Sequence, residues 1–277
     1  MRCRAAGSLA ACAILAAALT CAPLTVDAGD ASRLPDGEVT SSLGVTAYLT
    51  EPTTRYDHGV LGDAIEAGGF TVEAKGVRLH YRLGGDAVFE DRRVRLADID
   101  GDDAPEAIII KSDLKRGAAI AAFRILADRI VLLAESAPAG RPHRWLNIVG
   151  VADFLGDGKP TIAAVVTPHL AGSLRLYRLR GDALVEAARI DGFTNHIIGS
   201  RDQDLARIVD VNDDGVPEIV LPASDRRSLA VIAFRKGTVT VASRHPVARR
   251  IVKLISATKD NAIIEDEAGR RSTLLLK

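Results

Sequence analysis

Apolar and polar positions alternate in runs of five to nine residues along most of the chain, and the runs are separated by turns rich in Gly, Asp and Pro. Short alternating runs bounded by such turns predict strands. Laid over itself, the chain repeats a pair of runs. Glu66–Val72 leads to Val77–Leu83, Glu106–Ile110 to Ala119–Ile125, Thr161–Val166 to Ser173–Leu179, Glu218–Leu221 to Leu229–Phe234, and Ala262–Ile264 to Thr273–Leu276. The last two copies keep a constant offset of 44 residues and share Arg-Arg-Ser at 226–228 and 270–272. Ala118–Leu126 passes as helix by propensity, but its aligned copies are β-branched and alternating, so it too is predicted as strand.

Around each pair the order is constant: a short first run (Val94–Ala97, Ile148–Ala152, Ile208–Val209, Ile251–Leu254), a turn, the apolar run, a loop and the alternating run. A fourth run follows in the complete copies, as at Ile130–Ala134 and Ala183–Ala187. Four short strands in a unit of roughly 40 to 55 residues is the mark of a β-propeller blade. The expectation is therefore an all-β chain, a β-propeller of five blades of four antiparallel strands, with blades at about 55–92, 93–146, 147–205, 206–249 and 250–277. The fifth copy is one strand short, and the isolated run Val45–Thr50 is expected to fill that slot and close the ring. Residues 29–44 read as a loosely tied linker.

Two of the turns change the picture from architecture to chemistry. Asp98-Ile99-Asp100-Gly101-Asp102-Asp103-Ala104-Pro105-Glu106 places acids at its first, third, fifth and ninth positions, with the Ala104 carbonyl at the seventh. Asp210, Asn212, Asp214, the Val216 carbonyl and Glu218 repeat the set. Five or more hard oxygens around one point suit Ca²⁺, which takes six to eight. An EF-hand is excluded, since its twelfth position must be an acid and here is Ile109 or Leu221. Pro105 and Pro217 fix the turn before the strand, and Gly215 permits a left-handed backbone. The third copy, Asp153–Thr161, keeps the turn but has Leu155 and Thr161 in place of ligands, while the first and fifth units have lost almost the whole set.

Composition narrows the setting. Lys and Arg number 36 against 36 Asp and Glu, and no basic stripe with aromatics is present, so nucleic acid is excluded as a partner. Arg2 and Arg4, the apolar stretch Leu9–Leu19 and Val26-Asp27-Ala28 have the form of a cleaved signal peptide over 1–28, which predicts a periplasmic or secreted protein without a membrane span. Leu9-Ala10-Ala11-Cys12 spells a lipoprotein box, but the apolar run before it is too short. All three cysteines (Cys3, Cys12, Cys21) lie in this leader, so the mature chain would hold no thiol and no disulfide.

The Asp-x-Asp-x-Asp-Gly-x-x-Glu form of the turns, each running into an apolar strand, resembles the FG-GAP or VCBS repeat of integrin-type β-propellers. Val60-Leu61-Gly62-Asp63, Phe89-Glu90-Asp91, Arg144-Trp145-Leu146-Asn147, Pro168-His169-Leu170 and Asn195-His196 are similar to phrases of exported bacterial VCBS-repeat proteins of unestablished role. The resemblance covers about 55–255 and implies a propeller with Ca²⁺ in its turns, and no catalytic residue.

No His-x-x-x-His, no Gly-x-Ser-x-Gly and no mature Cys is found, so the motifs weigh against catalysis. Arg144, Trp145 and Asn147, with His169, Asn195 and His196 as possible neighbours, are the candidate binding residues at one mouth of the ring. There Trp145 either stacks on a ligand or caps a blade core. A binding or scaffold module for a protein or glycan partner needs only the ring and its loops. A carbohydrate-active enzyme, lyase or hydrolase, needs acid, His and Arg groups converging on one face, for which Arg144, His169 and His196 are the candidates.

Overall fold

The computed structural model describes residues 31–235 and 238–276. The signal-peptide and cysteine readings over 1–28 fall outside them. The described chain is all-β, and no helix occurs in it, so none there is long and apolar enough to cross a membrane.

The strands fall into five consecutive antiparallel units. The first holds β1 (Thr40–Ser42), β2 (Val45–Thr53), β3 (Glu66–Ala74) and β4 (Val77–Arg82), paired in that order. A short β5 (Ala87–Phe89) then bridges to the second unit, β6 (Arg95–Ala97), β7 (Glu106–Asp113), β8 (Gly117–Ile125) and β9 (Ile130–Ser136). The third is β10 (Leu146–Ala152), β11 (Thr161–Val166), β12 (Ser173–Arg180) and β13 (Ala183–Asp191). The fourth is β14 (Arg207–Val209), β15 (Glu218–Pro222), β16 (Ser228–Arg235) and β17 (Thr238–Pro246). The fifth, β18 (Ile251–Ala257), β19 (Asn261–Asp266) and β20 (Arg271–Leu275), has three strands. Every repeated pair read from the sequence is a hairpin pair here, and Gly117–Ile125 is strand throughout.

Alternation decides which core each side chain enters. Along β7, Ile108 and Ile110 face the third unit, while Ala107 and Ile109 face the first. Along β11, Ile162, Ala164 and Val166 face the second unit, and Ala163 and Val165 the fourth. Four apolar layers thus lie between five successive units, of which the first three are joined into one curled 13-stranded sheet by β5 and by a parallel pair between β9 and β13, and the middle units are buried on both faces, which is why β7, β11 and β15 read as nearly unbroken apolar runs. The layers between the first and second units and between the third and fourth are filled by phenylalanines: Phe70, Phe89 and Phe123 in one, Phe154, Phe193 and Phe234 in the other.

Two sequence expectations are corrected. Val45–Thr50 does not complete the fifth unit: it lies in β2, paired with β3 from Val45↔Ala74 to Thr53↔Glu66, and β20 has only β19 as a partner among the described residues. β3 is buried along seven successive residues, so it is a central strand that needs a neighbour on both edges, and β2 supplies the second. The stretch read as a linker is tied down from residue 31 on. Leu34 is buried, its amide donates to Leu49 O at 3.0 Å, Glu38 N donates to Arg92 O at 2.7 Å, and the Asp36 carboxylate pairs with Arg201.

Candidate functional site

The two acidic turns share one construction. The first aspartate holds the loop: Asp98 accepts from Gly101 N at 2.6 Å and Asp103 N at 3.0 Å, and Asp210 from Asp214 N at 3.2 Å and Gly215 N at 2.8 Å. Asp103 and Asp213 take positive φ, +65° and +58°, a conformation Asp tolerates better than most residues. The glutamate at the ninth position reaches back, Glu106 accepting from Ile99 N at 3.0 Å and Glu218 from Val211 N at 2.8 Å. In the first turn, ligand oxygens of Asp98, Asp100 and Glu106 all lie within 4.8 Å of one another.

That convergence has an electrostatic signature. Burial, then the acids Asp100 and Asp102, push the Glu106 carboxyl up to about 7, against the Ile99 amide that favours its charge. Burial also raises Glu218. Such a set lacks positive charge and fits a hard divalent cation. Part of that charge comes from an arginine on the third strand of the unit. Arg124 pairs with Asp100, and Arg235 with Asp214 at 2.6 Å and Glu218 at 3.8 Å. In the ligand-poor third turn Arg178 pairs with Asp157 at 2.6 Å. Asp102 accepts from Ala104 N at 2.9 Å and lies outside the converging trio, as Asn212, whose amide donates to Glu218, lies outside any such group.

The second cluster gathers around Trp145. His169 stacks parallel on its ring (centroids 5.9 Å, 6°), and His196 meets its edge at 4.7 Å. Asn147 and Asn195 exchange amide-to-carbonyl bonds of 3.1 and 3.0 Å, and Asn147 also donates to Gln203 O. The sequence grouping is thus real in space, but its stacking role is not: Trp145 is 2% exposed, with Nε1 donating to Glu90 O at 3.0 Å, and Asn147 and Asn195 are fully buried. These three belong to the core, because a face covered by His169 cannot also receive a ring. Arg144 is half-buried, and the described structure gives its side chain no hydrogen bond or ion pair.

Sequence reading missed what lies across Trp145. His58 meets Glu90, Nδ1 to Oε1, at 2.6 Å, and the other Glu90 oxygen accepts from Ser112 Oγ at 2.5 Å. His143 stacks on His58 with centroids 5.1 Å apart, and Tyr56 contacts both rings, its hydroxyl accepting from His143 N at 2.7 Å. His143 also meets Asp57 through Nε2 at 3.1 Å. No motif announces this group, since 32 residues separate His58 from Glu90 and 85 separate it from His143. The one available signal is the similar phrase Phe89-Glu90-Asp91, whose acids are both fully buried.

Proton positions in the His169–His196 pair follow from its partners. His196 Nε2 lies 2.8 Å from Ser200 O, a carbonyl that can only accept, so this nitrogen carries the proton. Burial lowers His196 to about 4 and His169 to about 3, with His196 and His58 adding to the depression of His169, so both rings are neutral at pH 7. His196 Nδ1 is therefore an acceptor, His169 Nε2–H donates to it at 2.8 Å, and the lone pair of His169 sits on Nδ1. Near Glu90 stands Glu66, 1% exposed with Oε1 unpartnered, whose carboxyl burial and then Glu90 push up to about 9.

Solved structures that resemble the chain include rhamnogalacturonan lyase YesW (12% identity, TM-score 0.43, 84% of this chain and 51% of that one), a Bacillus licheniformis rhamnogalacturonan lyase (13%, 0.44, 88% and 59%) and the exotype rhamnogalacturonan lyase YesX (13%, 0.42, 86% and 58%). The chain spans little more than half the length of these proteins, and the likeness carries no site residue across. No family model and no curated protein matches it.

Proposed function

We propose that the chain is an exported β-propeller of FG-GAP/VCBS type, pinned by Ca²⁺ in two of its five blades, that serves as a binding or scaffold module for a protein or glycan partner. The observation that carries the reading is the convergence of Asp98, Asp100 and Glu106 oxygens within 4.8 Å in a turn already held by its own backbone bonds. Asp102 and the Ala104 carbonyl would complete the first shell. Asp210, Asn212, Asp214, the Val216 carbonyl and Glu218 would form the second, with Asn212 turning its oxygen inward. Repeated antiparallel units of four strands, three of which carry an acidic turn between their first and second strands, support the propeller. Export places the sites where Ca²⁺ is abundant, and the bound ion would stiffen the turns that carry the loops.

Isothermal titration with CaCl₂ and melting in Ca²⁺ and in chelator test the cation. Heat of binding with a higher melting temperature in Ca²⁺ is expected. Silence in both measurements removes the metal. For the partner, a glycan array compares wild type with Arg144→Ala: loss of spots in the variant places recognition at the mouth, and an empty array with no captured glycan removes the glycan half of the reading.

A second reading, a carbohydrate-active enzyme, is favoured by one observation, the His58–Glu90 pair. Imidazole backed by a buried carboxylate is the usual arrangement of a general base. Product formation from a polysaccharide the array identifies, lost in His58→Phe, would establish it.

A further inference from the structure

Three turns of one construction carry different charge. Over nine positions each, the first (98–106) holds five acids and no basic residue, the second (210–218) four acids and no basic residue, and the third (153–161) two acids and Lys159. Each turn meets an arginine from the third strand of its own unit. Arg124 and Arg178 hold the same place there, each following the residue that pairs with the first apolar position after the turn (Ala107↔Phe123, Ile162↔Tyr177). Counted from the Ile219↔Ile232 pair, Arg235 stands two residues farther along β16. With these arginines, and with Lys259 on Asp213 at 2.8 Å, the formal surplus of negative charge is four in the first turn, two in the second and none in the third.

The contacts follow the charge. In the third turn the guanidinium is a fork: Nη1 and Nη2 donate to the two oxygens of Asp157 at 2.6 and 2.5 Å, and Nε to Thr161 Oγ1 at 3.4 Å. Arg178 thus joins the fifth and ninth positions, its side chain only 11% exposed. A planar donor set matched to both oxygens of a carboxylate is the geometry in which arginine binds best. In the first turn Arg124 uses one prong, Nη2, on Asp100, and its buried Nε has no hydrogen-bond partner. In the second, Arg235 Nη2 meets Asp214 at 2.6 Å and stands 3.8 Å from Glu218, on a side chain 56% exposed. One singly charged fork balances the third turn and leaves the other two with acids that a guanidinium does not reach. A spherical ion of double charge, taking six to eight oxygens, suits that remainder.

We propose that these arginines decide which turns take Ca²⁺: Arg178 stands in for the cation in the third turn, and Arg124 and Arg235 compete with it for Asp100 in the first and for Asp214 and Glu218 in the second. The competition rests on the Ca²⁺ reading above; the role of Arg178 does not. Two positive groups on one carboxylate repel, so each arginine contact weakens the hold of its turn on the ion. A turn whose charge is already balanced by a buried fork has no such hold to weaken.

Calorimetric titration with CaCl₂, and melting curves in Ca²⁺ and in chelator, compare the full wild-type chain with its arginine variants. Arg124→Gln and Arg235→Gln are each expected to tighten one site about fivefold, whereas Arg124→Lys and Arg235→Lys, which keep the charge, stay close to wild type. Arg178→Gln should leave both affinities unchanged and lower the melting temperature equally in Ca²⁺ and in chelator. Arg178→Lys should recover only part of that loss, since an ammonium cannot fork. If wild type binds Ca²⁺ and both Gln variants bind it with wild-type affinity, the competition is overturned while the Ca²⁺ reading stands. Uptake seen only in the Gln variants supports the competition and removes the ion from the wild-type protein; no uptake by any of them ends both. A melting temperature that does not fall in Arg178→Gln, or that falls and is restored by Ca²⁺, overturns the assignment of the third turn. Should that variant fail to fold, Arg178→Lys carries the same comparison.

Discussion

Three titratable residues, Glu66 and His196 buried and His169 half-buried, set opposing pH slopes. His169 and His196 are held well below their ordinary value by burial, so the unfolded chain binds more protons than the fold once pH falls below about 6.5. Stability is then lost toward acid, by up to about 1.4 kcal/mol per pH unit for each histidine, until the folded rings themselves protonate. Glu66 works in the other direction. Its folded carboxyl stays protonated up to about 9, so the fold holds a proton that the unfolded chain has released above its ordinary value, and stability falls as pH rises between the two. In the overlap, two histidines oppose one glutamate. Urea midpoints should therefore drop on going from pH 7 to pH 5 and also on going from pH 7 to pH 9. Glu66→Gln keeps the shape and removes the titration, so it should steepen the acid limb, flatten the alkaline limb and add about 1–3 kcal/mol at pH 8. Equal slopes in wild type and variant would show that Glu66 is solvated.

At the scale of the element, Asp98, Asp153 and Asp210 do the same work in three turns, and only two of those turns have an oxygen-bearing side chain at each of the first, third, fifth and ninth positions. Asp153 accepts from Asp157 N at 3.2 Å and Gly158 N at 2.7 Å, just as its counterparts accept from their own loops. The first aspartate is thus a turn-former whether or not a cation follows, which separates the two roles experimentally. Asp100→Asn leaves the Asp98 bonds in place and removes a ligand charge, whereas Asp153→Asn touches a turn without ligands. Against Ca²⁺ at millimolar concentration, a site of about 0.1 mM affinity should stabilise the wild type by about 1–2 kcal/mol. Asp100→Asn combined with Asp214→Asn should remove most of that shift and Asp153→Asn none of it, in melting curves with and without chelator. Strand identity was legible at this scale because two-sided burial writes an apolar run and the following hairpin writes an alternation, as in β7 and β8. The partner of β2 was not legible, since any strand can pair with any free edge. Nor was the histidine cluster: Tyr56 and His58 share the loop between β2 and β3, while Glu90 follows β5 and His143 precedes β10, and their meeting depends on how the units pack. Trp145 was readable as core or as mouth, and burial chose core.

Across the whole molecule, the ends of the stack differ from its middle. The first unit turns Phe70, Val72 and Leu49 to the second, and its other face carries Tyr48, Thr71, Glu73 and His80 in a hydrogen-bonded network: Tyr48 to Glu73 at 3.0 Å, Thr71 to His80 at 3.1 Å, and His80 to Glu51 at 2.8 Å. The fifth unit buries Ile251, Leu254, Ala262 and Ile264 against the fourth, while Lys253, Glu265 and Arg271 lie outward. A polar outer face on each terminal unit is what an antiparallel sheet with one solvated side requires. Local stability should follow this order, because a sheet packed on one face has half the apolar layer to lose on opening. In native-state hydrogen exchange, amides of β19 and β20 should exchange well before those of β7, β8 and β11, which open only with the global transition. A ring closed by contact between the fifth and first units would give β19 and β20 the protection of the middle units. Equal protection across all five would therefore show the terminal sheets to be joined in solution.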